Sequence, residues 1–328
     1  SLPIDESESF ITFETDIPTP GDRDLLIKVK AVSVNPVDYK IRQNSAKDKT
    51  LDIPKVIGWD ATGVVEEVGK NVTLFQKGDE VYYAGDITKS GSNAEYQIVD
   101  ERIVGKKPVT LSSAEAAAMP LTTLTAWEIL FDRIRVNEKD RGKSILIIGG
   151  AGGVGSIAIQ MAKQIAGLKV IATASRQESV EWCKKQGADI VVNHKNLVDE
   201  VRKAGFQHID FILDFVDANQ YWDAFTELIA PQGAIGSISD PTQPANLRQL
   251  KPKSVSFHWE LMFTRSMFQT ADMQEQHHIL NKAAAFFDKG ILRSTLTQTL
   301  NGFSAENFKQ AHRQLESGTT IGKLVIVY

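Results

Sequence analysis

A continuous apolar run lies at Ile145–Ile148, where four successive positions are apolar. A short continuous run of this kind predicts a strand that is buried on both faces. Glycines follow at positions 150, 152 and 155, and the apolar positions around and beyond them recur at helical spacing, at Val154, Ile157, Ala158, Met161 and Ile165. The pattern therefore predicts a strand that turns through a glycine-rich loop into a helix.

The alternation of apolar runs and helical patterns continues to residue 259. Together with Ser144–Ile148 it predicts six strands, the other five being Lys169–Ala174, Asp189–Asn193, Ile209–Asp214, Ala234–Ile238 and Val255–Trp259. Helices are expected between several of them, around Glu178–Gln186, Leu197–Ala204 and Tyr221–Ile229. Six strands alternating with helices favour the α/β class, with a doubly wound parallel sheet of the Rossmann type.

The pattern before this region is different. Residues 1–118 contain short alternating runs joined by glycine, proline and asparagine turns, which predicts a mostly β unit with little helix. The clearest runs are Leu25–Val34, Gly63–Val68 and Asp79–Ala84. Two helices, Ser112–Met119 and Leu121–Phe131, are expected to lead from this unit into the strand and helix region.

The last part of the chain changes pattern again. It predicts two helices, Met273–Lys289 and Ala305–Glu316, and a closing strand at Lys323–Tyr328. Because this tail is too short to form a domain alone, it is expected to pack on the N-terminal unit. We therefore predict a catalytic domain of residues 1–122, a nucleotide-binding domain of residues 123–267 and a returning segment of residues 268–328.

Composition narrows the functional classes. The 328 residues carry 37 Lys and Arg against 41 Asp and Glu, a net charge of −4 with no basic block, which argues against nucleic acid as a partner. The single cysteine, Cys183, excludes an intramolecular disulfide and fits a reducing compartment. No apolar stretch is long enough to span a bilayer. We expect a cytoplasmic protein with a small-molecule ligand and no membrane partner.

The glycine loop has the spacing Gly-x-Gly-x-x-Gly of a dinucleotide site. Gly150 is expected to allow the tight turn, Gly152 to let the backbone approach a pyrophosphate, and Gly155 to let helix and strand pack closely. Gly153 and Val154 complete the predicted cofactor contacts at the helix N-terminus, where unpaired N–H groups and the helix dipole favour an anion.

Motifs in the N-terminal unit connect the chain to a known superfamily. Gly58–Gly69, Lys77–Tyr82 and the segment Asn93-Ala94-Glu95-Tyr96 resemble the signature of the medium-chain dehydrogenase/reductases. Within them, Ser33–Tyr39 is similar to the quinone oxidoreductase branch, which includes zeta-crystallin. The resemblance covers essentially the whole chain. It implies a GroES-like, mostly β catalytic domain beside a Rossmann domain, and NADPH-dependent reduction of quinones or activated alkenes without zinc.

Two alternatives remain open at this point. The first is a zinc-type alcohol dehydrogenase, and proteins of this kind are often labelled so by family. However, the Gly-His-Glu that supplies a zinc ligand in those enzymes is Gly58-Trp59-Asp60 here, and neither Ser33–Asp38 nor Pro120–Ala126 holds a cysteine. The six histidines have no metal-ligand spacing, so we predict no metal site. The second alternative is a low-turnover NADPH-binding protein with a structural or RNA-binding role.

The end of the second predicted Rossmann strand favours NADPH over NADH. An NAD enzyme usually carries Asp or Glu there to bind the ribose 2′-OH. This chain has Thr173-Ala174-Ser175-Arg176, so we expect Ser175 and Arg176 to bind a 2′-phosphate. The alternative is that both residues only cap the following helix. The resemblance places His194 where the family often has a tyrosine lining the adenosine pocket.

The resemblance also nominates residues near the nicotinamide. Asn35 and Tyr39 are the catalytic candidates, as hydrogen-bond donors to the oxygen of a quinone or enone, although Asn35-Pro36 also fits a simple turn. Thr125 matches a threonine near the nicotinamide, or bonds its own helix. Ligands bind outside the carboxyl ends of parallel strands, so four more cofactor residues are expected there: Phe215, Val216, Ser237 and Ser239.

Two further expectations concern apolar surfaces. Trp59, Trp259 and Phe263 are candidates for an apolar lining for a flat substrate, with core packing as the alternative reading. The last Rossmann strand, Val255–Trp259, is an apolar edge strand, which predicts a homodimer formed across a two-fold axis.

Overall fold

The computed structural model describes residues 2–46, 51 and 53–328. The chain forms two units. The first unit consists of residues 1–124 and 263–328, and the second unit of residues 125–262.

The described residues form thirteen strands: β1 Asp24–Ser33, β2 Asp60–Val68, β3 Glu80–Tyr83, β4 Tyr96–Asp100, β5 Val104–Lys106, β6 Ser144–Ile148, β7 Lys169–Thr173, β8 Ile190–Val192, β9 Ile209–Asp214, β10 Ile229–Ser237, β11 Ser256–Trp259, β12 Leu296–Asn301 and β13 Lys323–Val327.

They also form ten α-helices: α1 Pro36–Ala46, α2 Ser113–Ala117, α3 Pro120–Trp127, α4 Gly153–Gln160, α5 Gln177–Gln186, α6 Leu197–Lys203, α7 Ala218–Leu228, α8 Thr264–Met267, α9 Glu275–Asp288 and α10 Ala305–Glu316. Two of them continue as π-helical turns, α3 through Glu128–Arg133 and α4 through Met161–Ile165. No helix in the described ranges is long and apolar enough to cross a membrane.

The second unit is built on one parallel sheet. Its six strands lie in the order β11-β10-β9-β6-β7-β8, so β6, the first strand of this unit, is central and the order reverses beside it. All five residues of β6 are buried, as expected for a strand covered on both faces. This is the doubly wound order of a dinucleotide-binding fold, and it confirms the predicted fold class.

The first unit is built on a mostly antiparallel sheet in the order β12-β13-β1-β2-β3-β5, with β4 also paired to β1. Strand β1 lies between β13 and β2. Its residue Ser33 pairs with Asp60 of β2 on one side and with Val325 of β13 on the other. The closing strand of the chain therefore lies next to a strand near its beginning, and residues just beyond Ser33 lie close to both neighbours.

The elements of the first unit that the sequence does not predict include α1 and β12. Asn35-Pro36 also fits a turn, and the surrounding pattern indicates little helix, so the sequence does not predict α1. Pro36 is the first residue of the helix, where a missing N–H costs nothing. Strand β12 was also missed, because its alternating half-buried and exposed residues provide only a weak apolar signal.

Candidate functional site

The glycine loop of the second unit joins β6 to α4. Gly149 has φ +78°, a left-handed backbone conformation that favours glycine. The residue with this conformation is therefore Gly149, one position before Gly150, where the sequence predicts the tight turn. The Gly149 N–H donates to Thr173 Oγ1 at 3.0 Å, and the Gly150 N–H donates to the Thr173 carbonyl at 3.3 Å. The loop is thus attached to the end of β7, and Gly152 then serves as the N-cap of α4.

The three motif glycines differ in what a side chain would meet. A Cβ on Gly155 would lie 2.2 Å from the Gly149 carbonyl oxygen, so only glycine lets α4 pack on this turn. A Cβ on Gly150 would lie 2.8 Å from Ala172 Cβ and 3.0 Å from Cys183 Sγ. At Gly152 the nearest atom would be 3.4 Å away, an ordinary contact. The fold itself therefore does not require glycine at position 152.

Cys183 lies under this loop, although it is remote from the loop in the sequence. It is buried, and burial raises the pKa of its thiol to about 12. A protonated, buried thiol is inert, which agrees with a packing role.

The N-terminus of α4 presents backbone donors to solvent. The Gly152 N–H already donates to the Gly149 carbonyl at 3.1 Å, but Gly153 and Val154, the first helical residues, are partly exposed and no side chain caps the helix. The first N–H groups of a helix have no partner within it, so this turn can bind an anion such as a pyrophosphate. Val216, which is half-exposed, lies over Gly149, with its Cγ2 2.7 Å from where a Cβ on that glycine would be.

Ser175 and Arg176 are exposed and follow β7 directly. The Arg176 N–H donates to Ser179 Oγ at 3.2 Å, and that hydroxyl donates back to the Arg176 carbonyl at 2.8 Å, so Ser179 caps the start of α5. The structure describes all four residues 173–176, and none of them is Asp or Glu. His194 is half-buried after β8, and its Nδ1 lies 3.1 Å from the Tyr221 hydroxyl.

A buried carboxylate that sequence reasoning missed organises the next residues. Asp214, the last residue of β9, accepts from Ser237 Oγ at 2.8 Å and from Ser239 Oγ at 2.7 Å. Its other oxygen accepts from the Val216 N–H at 3.1 Å. The structure thus brings Ser237, Ser239 and the segment after β9 together at the carboxyl ends of adjacent strands. Half-buried Phe215 lies in that segment.

Thr125 is buried within α3. The three aromatic candidates do not form one lining. Trp59 and Phe263 are fully buried in the first unit and meet edge to face at 6.3 Å, so they are core residues. Trp259, in the second unit, is 51% exposed and packs on Phe257.

In the first unit, Asn35 is part of a buried polar cluster, which we define as Asn35, Asp38, Asp60 and Lys323. Asn35 Nδ2 donates to Asp60 Oδ2 at 2.8 Å and to the Ser33 carbonyl at 3.3 Å, while its Oδ1 accepts from Lys323 Nζ. Lys323 Nζ also contacts Asp60 Oδ2 at 3.3 Å and the Val34 carbonyl at 3.2 Å. Both donors and the acceptor of the Asn35 amide are therefore occupied within this unit.

Helix α1 begins inside the cluster. The Asn35 N–H donates to Asp38 Oδ2 at 2.8 Å, which fixes the first turn, and Asp60 Oδ1 accepts from the Leu121 N–H at 2.7 Å. Tyr39 follows Asp38 on the helix and is half-buried. The cluster therefore fixes the part of α1 that carries Tyr39.

Burial dominates the electrostatics of the cluster. It raises the pKa of Asp60 and lowers the pKa of Lys323, and their mutual attraction opposes both shifts. Burial also raises the pKa of Asp38 to about 7, and the hydrogen bond from the Asn35 N–H only partly opposes this shift. The other carboxylate oxygen, Oδ1, is buried without a hydrogen-bond partner. Asp38 therefore holds a proton at mildly acidic pH.

The donor chemistry of the described chain does not fit a zinc ion. Zinc needs about three N, S or O ligands from the protein. In the described ranges no group of three His, Cys, Asp or Glu is placed to hold a metal. Asp60, the motif carboxylate beside Trp59, instead contacts a buried ammonium group, which would repel a cation.

Comparisons with known proteins agree with this architecture. Residues 21–109 match the alcohol dehydrogenase GroES-like domain, and residues 153–282 match the zinc-binding dehydrogenase family. A zinc-type alcohol dehydrogenase-like protein of Staphylococcus aureus is 45% identical, over 98% of this chain and 96% of its own length.

Two further matches extend the comparison. The crystal structure of a zinc-dependent alcohol dehydrogenase protein from Rhizobium etli superposes with a TM-score of 0.94 at 50% identity, over 100% of this chain and 95% of its own. The NADPH-dependent alkenal/one oxidoreductase of Arabidopsis thaliana is 35% identical over 71% of this chain and 59% of its length. The chain therefore belongs to the medium-chain dehydrogenase/reductase superfamily and is an oxidoreductase of its zinc-type alcohol dehydrogenase-like family.

Proposed function

We propose that this oxidoreductase is NADPH-dependent and zinc-independent, and that it reduces quinones or α,β-unsaturated carbonyl compounds. The observation that carries the proposal is the contact of Asp60 with Lys323 and Asn35. A buried, hydrogen-bonded ion pair involves the last residue of Gly58-Trp59-Asp60, the segment that stands where zinc enzymes have their metal-binding Gly-His-Glu. This favours a reaction class that needs no Lewis acid, and the relative from Arabidopsis thaliana is named an NADPH-dependent alkenal/one oxidoreductase.

The second unit supplies the cofactor groups. The amides of Gly153 and Val154 would bind the pyrophosphate, Gly152 would let it approach the backbone, and Gly150 and Gly155 would shape the turn that presents these groups. Ser175 and Arg176 would bind the 2′-phosphate, with His194 beside the adenosine. The remaining contacts would come from residues at the carboxyl ends of β9 and β10 and from α3: Phe215, Val216, Ser237, Ser239 and Thr125.

Bound NADPH supplies a hydride to the electrophilic carbon of the substrate. Negative charge then develops on the oxygen of the quinone or enone, and a preorganised donor lowers the barrier. Tyr39 is the donor that we propose. Its hydroxyl belongs to a side chain that is only half-buried, on a helix turn fixed by the Asn35 and Asp38 contact. Asn35, whose amide is fully engaged, would act as a positioning residue.

The Tyr39→Phe variant tests this assignment. Removing one donor to a developing oxyanion is expected to lower kcat by about 10²–10³. The Kd for NADPH and the unfolding transition should not change, because the hydroxyl is not part of the cofactor groups. An unchanged kcat with a good quinone or alkenal substrate would exclude Tyr39 as the donor and leave the cofactor assignment intact.

We also propose that the protein is a cytoplasmic homodimer formed through β11. This strand is the edge of the parallel sheet, and Trp259 at its end is 51% exposed. A monomer by light scattering at micromolar concentration would contradict this arrangement. A structural or RNA-binding role with little turnover is the second candidate, and the absence of a basic block in the sequence counts against RNA.

A further inference from the structure

The first unit contains a cavity of about 640 Å³ whose lining includes none of the proposed catalytic or cofactor residues. One wall is the extended segment Phe10–Pro18, which we call the strap, and the opposite walls come from the end of α1, the loop Pro54–Ile57 and the start of α10. This volume is within the range of about 300–1,000 Å³ that is typical of small-molecule sites.

Apolar side chains line much of the cavity, both where it is buried and at its rim. Phe308 and Ile57 are buried at the floor. At the rim Ile11 is 53% exposed, Phe13 39% and Ile17 60%. Single exposed apolar side chains are common, but several of them around one concave opening mark a surface that a ligand covers.

The hydrogen bonds that anchor the strap lie just before it and just after it in the sequence. Before it, Lys309 Nζ donates to the carbonyls of Asp5 and Glu6. After it, the Gly21 N–H donates to Asp24 Oδ2 at 3.0 Å. Between these anchors, no backbone group from Phe10 to Pro20 makes a hydrogen bond to any other part of the chain that the structure describes. This wall can therefore adjust to an occupant without breaking a strand ladder.

The charges around the cavity disfavour an anion. Among the residues that the structure describes, four carboxylates line it, those of Glu8, Glu14, Asp16 and Glu95. The cations in the same described lining are Arg42 and Lys55, and Arg42 is already paired with Glu316. A fatty acid carboxylate or a phosphate head group would meet an excess of negative charge here.

We propose that this cavity binds an uncharged molecule with a long apolar chain, alkyl or isoprenoid in kind. The apolar floor and rim would cover the chain, and the adjustable strap would close over it. The binding itself does not rest on the proposed function. The alkyl or isoprenoid chain can belong to the substrate of the reductase or to a separate hydrophobic ligand, and the experiments below distinguish these two sources.

Direct binding is measured with the uncharged dye N-phenylnaphthylamine, whose fluorescence rises in apolar sites. We expect saturable binding to the wild-type chain, weakened about tenfold or more by Ile17→Asp or Phe13→Asp. The matched control is Val109→Asp, because Val109 is also an exposed aliphatic residue of the first unit, 86% exposed, and does not line the cavity. Dodecanol should displace the dye, whereas dodecanoate should displace it at least about tenfold less well.

Absent or non-saturable binding, equal binding by all three variants, or equal displacement by dodecanoate would each overturn the proposal. A wild-type oligomer that Ile17→Asp converts to a monomer would also overturn it, by showing that a second copy covers the rim. The KM for alkenals of increasing length shows the source of the ligand. If KM falls from hexenal to dodecenal, and falls less in Ile17→Asp, the apolar chain bound in the cavity is part of the substrate. Dye binding with a KM that does not depend on chain length would identify a separate ligand.

Discussion

Lys323 Nζ lies 3.3 Å from Asp60 Oδ2, and both side chains are buried. The contact joins the last strand of the chain to the second, across β1, and it also holds the Asn35 side chain. A charge pair out of water is stable only while both partners are present, since either one alone is an uncompensated buried charge. Several consequences of this arrangement can be measured.

Lys323→Met is expected to lower the free energy of unfolding of the first unit by about 3–5 kcal/mol, because it leaves Asp60 buried without its cation. Urea unfolding followed by fluorescence measures this loss. Lys28→Met is the matched control, since Lys28 is an exposed lysine of the same sheet, and it should change stability by less than about 0.5 kcal/mol. Adding Asp60→Asn to Lys323→Met should recover part of the loss. Equal effects of Lys323→Met and Lys28→Met would show that the pair does not stabilise the fold.

Asp38 predicts a pH dependence of stability. Its pKa rises from 3.8 to about 7 on folding, so the folded chain binds a proton that the unfolded chain has lost. The free energy of unfolding should therefore fall as pH rises between these values, by at most about 1.4 kcal/mol per pH unit from this group. In Asp38→Asn, which keeps an acceptor for the Asn35 N–H, this component should disappear. Asp60 and Lys323 are present in both proteins, so the difference between the two pH profiles reports on Asp38. Parallel pH profiles would therefore contradict the assignment.

The glycine loop separates folding from cofactor binding. Gly155→Ala should lower the free energy of unfolding by about 1–3 kcal/mol, because its Cβ overlaps the Gly149 carbonyl oxygen. Gly152→Ala has room for its Cβ and should unfold like the wild type, yet it should bind NADPH at least about tenfold more weakly if the pyrophosphate approaches there. Calorimetric titration with NADPH and urea unfolding of both variants test the contrast. Normal NADPH binding by Gly152→Ala would place the pyrophosphate elsewhere.

Arg176→Ala tests cofactor choice. Loss of a charge-assisted contact to the 2′-phosphate should weaken NADPH binding by about ten- to a hundredfold and leave NADH binding unchanged. Lys251→Ala, which removes an exposed cation elsewhere in the second unit, should affect neither. Equal losses for the two cofactors would mean that Arg176 does not distinguish them.

The sequence predicted the parts of the fold whose signal is local. Ile145–Ile148 could be identified as a buried strand and the following glycines as a turn, because apolar runs and glycine spacing depend on neighbours in the chain. The capping box that begins α2, with Ser112 and Glu115, is equally local. Helix α1 was missed because a proline after asparagine fits a turn and a helix start equally well.

The chemistry of the candidate site depended on distant partners and could not be predicted. Asn35 was a plausible donor to substrate until the structure showed Asp60 and Lys323 occupying its amide, and Lys323 lies 288 positions away in the chain. Asp214 was only the end of a strand until Ser237 and Ser239 were seen to bond it. A polar residue's partners depend on strand order, which periodicity does not encode.

The most direct test of the proposed function is NADPH oxidation, followed by absorbance, with benzoquinone, an alkenal and a simple saturated aldehyde, each with and without a chelator. Parallel reactions with NADH show the cofactor preference. We predict turnover of the quinone or the alkenal, faster with NADPH than with NADH and unaffected by the chelator. Turnover of the saturated aldehyde alone, abolished by the chelator, would contradict the account and show that a metal site does the chemistry.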